Sequence, residues 1–395
     1  MITHLQKHRV RSKLSAGYNH FIFENSNELF SVGLESVAGR VKSLGVESVA
    51  ASEGGVKKFS SGKSNNIYFL TGKGYIYARG FAGFYQFGDG EANDRPNFER
   101  IKFYDDKKVK NFFATATSFW VILKNNKVYR NGSNVFGELG TGDDKIVATP
   151  QELDTSFFLD KDEQIVQIRG CVGVIMLTNK GRVYTTSPKR CFMCYFTPIK
   201  QLSNIKDFDC GSKHSLFATL QGHVWGSGSN NYGQLGLGNR VTWDVISPPE
   251  RIMELTDVVK VRAGLSHSLF LTKDGSVYAC GVREGYQPKS IITRNNRYVS
   301  VPIKFNFWGV RIIDIHAMCS TSIFISSTGS IISGGDMACG NNVDYTFQKN
   351  QCLRVCIKHK AEIAIIDHPN PFRKVTWDLI DSIMRYSKTD VVVLT

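Results

Sequence analysis

The chain has 395 residues, nine cysteines and a formal net charge of +14. A chain of this length buries a substantial core without disulfides, and an odd, scattered set of cysteines indicates reduced thiols, as in a cytoplasmic or nuclear protein. We expect no membrane span and no signal peptide, because no apolar run is long enough and the N-terminal segment is polar. The positive excess favours nucleic acid, chromatin or an anionic membrane as a partner, against the simpler alternative of a basic soluble protein.

The first 14 residues contain four Lys or Arg side chains and no Asp or Glu. Basic residues here alternate with Val10 and Leu14, which is the pattern of a strand with one buried face. Residues 1–14 are therefore predicted to be a short basic segment or, preferably, the first strand of the structure that follows.

A β-hairpin module then recurs seven times. In its clearest copy, which begins at Cys210, two apolar strands flank a turn at Gln221-Gly222, and a glycine-rich loop ends at Asn239. The glycine-rich loop is complete in this fifth copy, weaker in the second and third, and absent from the fourth. The small residues that align at the start of the copies are spaced 41 to 55 residues apart: Gly17, Gly62, Thr115, Gly170, Gly211, Gly264 and Ala317.

A repeated hairpin of this kind indicates an all-β fold. One hairpin cannot bury both of its faces, and seven copies at a period of about 50 residues are typical of a propeller with one blade per copy. The alternative is an unrelated run of hairpins in a β-sandwich, which the regular order of small residue, hairpin turn and terminal glycine disfavours. The sequence thus predicts a seven-bladed β-propeller.

The module resembles the repeat of the regulator of chromosome condensation family. The shared elements are G-x-x-H from Gly211 to His214, the hairpin, a terminal glycine, and GQLGLG from Gly233 to Gly238. The resemblance covers roughly residues 15–357. It implies one propeller domain over that range, in a family whose fold carries several activities.

Residues 358–395 differ in character and are predicted to form a short C-terminal tail with one helix and one strand. Asn370 and Pro371 suit the N-cap and the first position of a helix, and Asp390 to Leu394 favours a strand. This tail is faintly similar to the opening of a BTB domain, which some members of the family carry after the propeller.

Two copies depart from the repeat. In the fourth, Cys191 and Cys194 form a C-x-x-C, but a zinc site needs two more ligands and the neighbouring sequence offers no suitable pair, so no metal is predicted. In the sixth, residues 283–304 interleave five basic residues with two tyrosines. That pattern is typical either of a surface that binds phosphates and bases or of a solvated blade edge.

We find no sequence signature of covalent catalysis, such as a P-loop, a zinc-protease motif or a nucleophile elbow. No cofactor is predicted. His20, His214 and His267 recur at one position of the repeat. A shared hydrogen bond that fixes a blade loop is the structural interpretation of that recurrence.

The resemblance supplies the functional interpretation. In the family's nuclear founder, the loops that carry G-x-x-H line the face that binds the small GTPase Ran, and that protein promotes nucleotide exchange without covalent chemistry. The corresponding partner-binding residues here are Tyr18, Asn19, His20, Lys63, Asn65, Ser118, Lys213, His214, Ser266, His267 and Ser320.

The charge of this predicted face differs from that of the founder, which carries aspartates in some of these loops. Here neither the seven G-x-x-H positions nor the two residues before each are acidic, and a neutral-to-basic face suits the basic surface of a GTPase less well. Three functions therefore stay open. They are guanine nucleotide exchange on a Ran-like small GTPase, a non-catalytic scaffold or adaptor, and binding to chromatin or an anionic membrane.

Overall fold

The computed structural model describes residues 14–17, 21–25, 28–32, 41–62, 64–171, 173–186, 195–240, 245–283, 297–305, 307, 310–327, 331–335, 354–358 and 362–364. The C-x-x-C at Cys191 and Cys194 and the predicted helix and strand of the tail lie outside these ranges.

Seven antiparallel sheets follow one another along the chain, each built from consecutive strands, so the predicted seven-bladed all-β architecture is confirmed. In each blade the strands are named a to d in chain order. Strand a comprises β1 (Leu14–Ala16), β5 (Val56–Ser61), β9 (Val109–Ala114), β13 (Ile165–Gly170), β17 (Ile205–Cys210), β21 (Val258–Ala263) and β25 (Ile312–Ala317). Strand b comprises β2 (Phe21–Asn25), β6 (Asn66–Thr71), β10 (Ser118–Leu123), β14 (Val174–Thr178), β18 (His214–Thr219), β22 (His267–Thr272) and β26 (Thr321–Ser326).

The outer half of each blade completes the sheet. Strand c comprises β3 (Glu28–Val32), β7 (Ile76–Gly80), β11 (Val128–Gly132), β15 (Val183–Thr186), β19 (Val224–Ser229), β23 (Val277–Val282) and β27 (Ile331–Gly335). Strand d comprises β4 (Val41–Ser43), β8 (Arg95–Arg100), β12 (Val147–Leu153), β16 (Phe196–Pro198), β20 (Val245–Ile252), β24 (Tyr298–Phe305) and β28 (Arg354–Lys358). A fifth strand, β29 (Glu362–Ala364), extends the seventh sheet.

The a strands surround a central axis. Each lies beside the a strand of the next blade, and β25 lies beside β1, so the seven blades close into a ring. The two ends of the described chain exchange no strand, because β1 to β4 and β25 to β29 form separate sheets.

Every a strand from β5 to β25 contains the same β-bulge. The pairing register with strand b shifts by one residue near the start of strand a, as between Val56 and Lys58 in blade 2, and the same shift occurs in blades 3 to 7. A bulge bends the strand and redirects the side chains that follow it. In blade 2 the side chains of Lys58 and Ser60 consequently line a channel on the axis.

The apolar core lies between neighbouring blades. Between blades 2 and 3, the rings of Tyr68 and Phe119 stack with centroids 4.2 Å apart, and Phe87 and Phe112 pack around them. Strand b is buried along its whole length in blades 2, 3, 4, 6 and 7. Both of its faces are covered by adjacent blades, which explains why its sequence is a continuous apolar run without the alternation of a half-exposed strand.

Two short helices lie in connections between blades in the part of the chain that the structure describes. Helix α1 (Glu47–Ser52) joins blades 1 and 2 and buries Val46 and Ala50 against Leu29. A 3₁₀ helix (Lys102–Tyr104) joins blades 2 and 3 and buries Tyr104. Neither is long enough to produce a helical period in the sequence, so the sequence did not indicate them.

Candidate functional site: the loop face

The alternating strand direction places the connections on two opposite faces of the ring. The turns between strands a and b and the loops between strands c and d lie on one face, here called the loop face. The turns between strands b and c and the connections from strand d to the next strand a lie on the other, here called the turn face. The G-x-x-H positions belong to the loop face.

The two repeat histidines that the structure describes, His214 and His267, are buried within this face. His214 and His267 are 3% and 1% exposed. His214 Nε2 lies 2.9 Å from Ser268 Oγ of blade 6, and His267 Nε2 lies 3.0 Å from Ser322 Oγ of blade 7. Because the Ser268 hydroxyl donates to the Gln234 carbonyl at 2.6 Å, His214 Nε2 is the donor to Ser268. Each histidine therefore ties its blade to the next, as the structural interpretation of the repeat expects.

The glycine of G-x-x-H leaves the space that the histidine fills. A Cβ on Gly211 would overlap the imidazole of His214. In blade 3 the same two positions are occupied by Thr115 and Ser118, whose hydroxyls lie 2.7 Å apart. A small fourth residue thus permits a side chain at the first position.

Strand register reveals two positions that the motif did not identify. Asn66 pairs with Gly80 as His214 pairs with Gly228, so Asn66 occupies the histidine position of blade 2. Thr321, the first residue of β26, occupies it in blade 7. Neither residue is a histidine, and the spacing in blade 2 is one residue longer, so the sequence pattern alone missed both.

Two of the small residues aligned from the sequence are displaced by one position. Gly170 and Ala317 are the last residues of their a strands, equivalent to Cys210 of blade 5. The turn of blade 7 starts at Met318, whose N–H donates to the Thr321 carbonyl at 2.8 Å. In blade 7 the fourth residue of the turn is Thr321, and a side chain at the first position is accommodated beside it. The first residue therefore need not be small, and this is why the alignment on small residues failed in this blade.

The predicted partner-binding residues differ in their exposure. Three are buried: Ser118, His214 and His267. Two are half-buried, Ser266 and Ser320, and two are exposed, Asn65 and Lys213. The other four lie outside the described residues: Tyr18, Asn19, His20 and Lys63. Among the described ones, only Asn65 and Lys213 present a largely exposed side chain.

Three loops between strands c and d that the structure describes, those of blades 2, 3 and 5, share an internal hydrogen bond. In blade 5, Asn230 Oδ1 accepts from the Leu235 N–H at 3.0 Å, and Gln234 Oε1 accepts from the Tyr232 N–H at 2.9 Å. Both bonds recur in blade 3, and the second recurs in blade 2. The loop of blade 5 rests on strand d of blade 6, where the Gly238 N–H donates to the Ser300 carbonyl at 2.8 Å. Their conformation is therefore fixed by the fold.

Each of these loops exposes an aromatic side chain at the same place. Phe84, Phe136 and Tyr232 are 37%, 53% and 39% exposed, and Val135 beside them is 59% exposed. Each aromatic residue immediately precedes a residue with left-handed φ, as Tyr232 precedes Gly233 (φ +77°). In the sequence, each of these three aromatic residues directly precedes YQF, GEL or GQL. The sequence alone did not reveal this signal, because the glycines of the same loops dominate the pattern.

Acidic side chains accompany the aromatic residues of blades 2 and 3. The same two loops also carry two basic residues, Lys145 and Arg95, and Arg95 pairs with Asp89. The described part of the blade 5 loop differs, because it carries Arg240 and no acidic residue. The G-x-x-H positions lack acids, as the sequence indicated, but the loops beside them do not. The exposed carboxylates are Asp89, Glu91, Asp94, Asp143 and Asp144.

A polar channel of about 230 Å³ lies on the axis between the a strands. Arg169 Nη1 lies 3.1 Å from Asp209 Oδ1, and Arg262 Nη1 lies 2.8 Å from Asp207 Oδ2, each across a boundary between blades. Lys58 donates to a main-chain carbonyl of blade 3 at 2.6 Å. Burial, followed by the charge of Arg169, lowers the pKa of Lys58 to about 7. These contacts join adjacent blades, and we assign them to closure of the ring.

Within the described ranges, no group of three or more His, Cys, Asp or Glu side chains is placed to hold a metal ion. The same part of the chain contains no helix with the length and apolar character required to cross a membrane.

Comparison with known proteins adds to this geometry. Two family models of the regulator of chromosome condensation (RCC1) repeat match residues 221–271 and 205–234. The chain is 27% identical over 234 residues to human E3 ubiquitin-protein ligase HERC2, an alignment covering 55% of this chain and 5% of that protein. It is 31% identical over 142 residues to the human RCC1-like G exchanging factor-like protein, covering 34% of this chain and 30% of that protein. The chain thus spans less than a third of the length of either relative.

Solved structures share the fold. Prp20p from Saccharomyces cerevisiae, described with its binding properties to Gsp1p and histones, superposes with a TM-score of 0.65 at 21% identity, covering 82% of this chain and 81% of that one. Human WBSCR16 superposes with a TM-score of 0.56 at 17% identity, covering 74% of this chain and 88% of that one.

Proposed function

The chain belongs to the regulator of chromosome condensation (RCC1) repeat family, and on that premise we propose that it binds a partner protein through its loop face. We further propose that this partner is a small GTPase of the Ran type, whose nucleotide release the propeller accelerates. The observation that carries the proposal is the row of exposed aromatic residues, Phe84, Phe136 and Tyr232, at one position of three braced loops.

Rigid aromatic side chains are efficient anchors for a protein partner. They bury a large apolar area, and here the hydrogen bonds within each loop hold them in place before the partner arrives, so little conformational entropy is lost on binding. The side chains of Phe81 and Phe84 also pack edge to face, with ring centroids 5.6 Å apart. These contacts support the proposal that the exposed part of blades 2 and 3 is a docking surface.

The carboxylates of blades 2 and 3 support a basic partner. Asp143 and Asp144 in blade 3, and Glu91 and Asp94 in blade 2, flank the aromatic residues. A surface of this sign attracts a basic protein and speeds its association. These acids place negative charge in the loops between strands c and d, next to the G-x-x-H turns, which carry none. A GTPase with a basic surface could therefore still be attracted to the loop face. Exchange of this kind needs no catalytic residue, because the propeller acts by stabilising the empty GTPase.

A non-catalytic adaptor is the second function that the loop face supports. The surface combines apolar, acidic and basic regions, and a mixed face with exposed aromatics suits many partners. Relatives whose names include a ubiquitin ligase and an exchange factor align with parts of this chain, and one fold hosts several activities. Partner binding without any effect on nucleotide release would favour this function over exchange.

Release of fluorescent GDP from a panel of small GTPases that includes Ran distinguishes the two functions. We expect faster release from one member, and a loss of at least tenfold in that acceleration when Phe84→Ala and Phe136→Ala are combined. Phe157→Ala is the matched control, because Phe157 is 87% exposed but lies in the connection between blades 3 and 4, on the turn face. If folded protein accelerates release from no member, the exchange proposal is wrong.

A further inference from the structure

Lysines that are separated in the sequence meet on the turn face of blades 2 and 3. They come from the connection between β8 and β9 together with the start of β9, and from the hairpin turn between β10 and β11. All but Lys107 are exposed. We refer to six residues as the lysine patch: Lys102, Lys107, Lys108, Lys110, Lys124 and Lys127.

Local structure holds these two segments together. The Lys124 N–H donates to the Lys108 carbonyl at 2.8 Å, which joins the hairpin turn to the connection. Lys110 occupies the bulge of β9, and its ammonium donates to Asn126 Oδ1 of the same turn at 3.0 Å. The 3₁₀ helix buries Tyr104 and leaves Lys102 at the surface. The fold therefore creates a density of positive charge that the sequence alone did not reveal.

The nearby carboxylates do not neutralise the patch. With Arg100 it contains seven cations, and three of these seven lie at ion-pair distance from a carboxylate. Each acid is already paired: Asp105 with Arg100 at 2.7 Å, Asp106 with Lys107 at 2.8 Å, and Glu152 with Lys127 at 2.9 Å. Within the described residues, four lysines have no carboxylate at ion-pair distance: Lys102, Lys108, Lys110 and Lys124.

We propose that the lysine patch binds the phosphodiester backbone of a nucleic acid. Lysine ammoniums act as point charges without the bidentate geometry that reads a base, so the binding is electrostatic and independent of sequence. Neutralising phosphates releases the counterions that surround a nucleic acid, and this gives such binding its affinity and its dependence on salt.

A membrane surface is the other anionic partner to consider, and the structure disfavours it. Binding to a bilayer is strengthened by apolar side chains that insert between headgroups. The exposed aromatic of the patch is Phe103, which is 37% exposed. Its ring is packed under the Lys107 ammonium at 4.2 Å and against Tyr129 at 5.6 Å, so it is not available to insert.

Fluorescence anisotropy with the full chain tests the proposal. The probes are a short mixed-sequence DNA duplex and a single-stranded RNA of the same length, each titrated at several salt concentrations between about 50 and 200 mM. The test variant combines Lys102→Gln, Lys108→Gln, Lys110→Gln and Lys124→Gln. The control combines Lys145→Gln, Lys200→Gln, Lys206→Gln and Lys273→Gln, which changes the net charge equally at four exposed lysines elsewhere.

The wild type and the control variant are expected to bind at least one probe with similar affinity. The test variant should lose at least tenfold in affinity, and the slope of log K against log salt should decrease by about three to four. Its melting temperature should stay that of the wild type, because all four side chains are exposed. Equal losses in both variants would assign the binding to net charge and overturn the proposal. So would the absence of binding to both probes, or patch-dependent binding to phosphatidylserine vesicles alone.

This proposal stands independently of the exchange activity, because the lysine patch and the aromatic row lie on opposite faces. A failure of either experiment leaves the other proposal intact.

Discussion

At the residue scale, the G-x-x-H motif is a packing relation between two positions. Gly211 leaves the space that the imidazole of His214 fills, and Gly62 leaves the same space for Asn66. The recurrence of histidine was visible in the sequence, and so was the expectation of a shared hydrogen bond. The identity of the acceptor was not, because Ser268 lies 54 residues further along the chain, in the next blade.

Replacing a buried histidine should therefore affect stability first. We expect His214→Ala to lower the free energy of unfolding by about 1–3 kcal/mol, because the hydrogen bond to Ser268 is lost and a cavity remains. His214→Asn should lower it less, since asparagine fills this position in blade 2. Urea denaturation followed by tryptophan fluorescence measures both effects. The exposed neighbour gives the control Lys213→Ala, expected within about 0.5 kcal/mol of the wild type. Unchanged stability of His214→Ala would refute the inter-blade role.

The neutral state of His267 should make stability depend on pH. Burial, with a smaller contribution from His214, lowers its folded-state pKa from 6.5 to about 3. The unfolded chain therefore binds more protons between these values. The free energy of unfolding should fall as the pH decreases from about 6.5 towards 3, by up to about 1.4 kcal/mol per pH unit.

His267→Asn removes this titration and keeps a polar side chain. The stability difference between wild type and variant should shrink as the pH is lowered from about 7.5 to 5, because the wild type alone loses the contribution of a neutral His267. Unfolding midpoints in urea across this range provide the measurement. Parallel pH profiles for the two proteins would show that His267 titrates normally in the folded state.

At the element scale, the a strands are joined by side chains as well as by packing. Asp207 Oδ2 accepts from the Val261 N–H at 2.9 Å and lies 2.8 Å from Arg262 Nη1. Arg262 is nearly buried, so its charge depends on partners within the channel. The opposite charges of Asp207 and Arg262 compensate each other across the boundary between blades 5 and 6. Removal of one member of the pair leaves the other as a buried, uncompensated charge.

Asp207→Ala should accordingly lower the free energy of unfolding by roughly 3 kcal/mol. Adding Arg262→Met should restore much of that loss, because the unpaired guanidinium is replaced by an apolar side chain of similar length. Thermal and urea unfolding of the two single variants and the double variant give the coupling energy. Additive losses would mean that the two residues do not act as a pair.

The sequence predicted some elements well and others not at all. The b and c strands were identified because their apolar runs flank glycine turns such as Asp274-Gly275. The bulges of the a strands were not, since the one-residue shift in strand register that they produce, as between Val56 and Lys58, leaves no local signal in the sequence. Helix α1 is too short for a periodic pattern. The exposed row at Phe136 was missed because aromatic residues in a glycine-rich loop suggest a core.

At the scale of the whole molecule, the charges of blades 2 and 3 differ in sign between the two faces of the ring. The loop face of blades 2 and 3 is acidic and aromatic, whereas the turn face of the same blades carries the lysine patch. The sequence did not indicate the lysine patch, because the patch comes from two segments that meet only in the folded ring. A protein and a nucleic acid are thus expected to occupy the molecule at the same time.

Because the aromatic row and the lysine patch lie on opposite faces, we expect a nucleic acid bound at the patch to leave the activity of the loop face unchanged. With the GTPase that responds to the propeller, a saturating concentration of duplex DNA should leave the rate of GDP release within about twofold, since the two faces share no contact residue. The control is the same assay with the four-lysine variant of the patch, on which DNA should have no effect. Competition between DNA and the GTPase would place the two sites on one surface.

The most direct test of the central claim is the affinity of the loop face for the two states of a small GTPase. An exchange factor must bind the nucleotide-free state more tightly than the GDP-bound state, because only that difference drives release. We therefore predict that immobilised wild-type protein binds nucleotide-free Ran, or the panel member that responds, at least tenfold more tightly than its GDP-bound form. The Phe84→Ala, Phe136→Ala variant should lose this preference, and Phe157→Ala should keep it. Equal affinity for both states, or binding unaffected by the loop-face substitutions, would contradict the account.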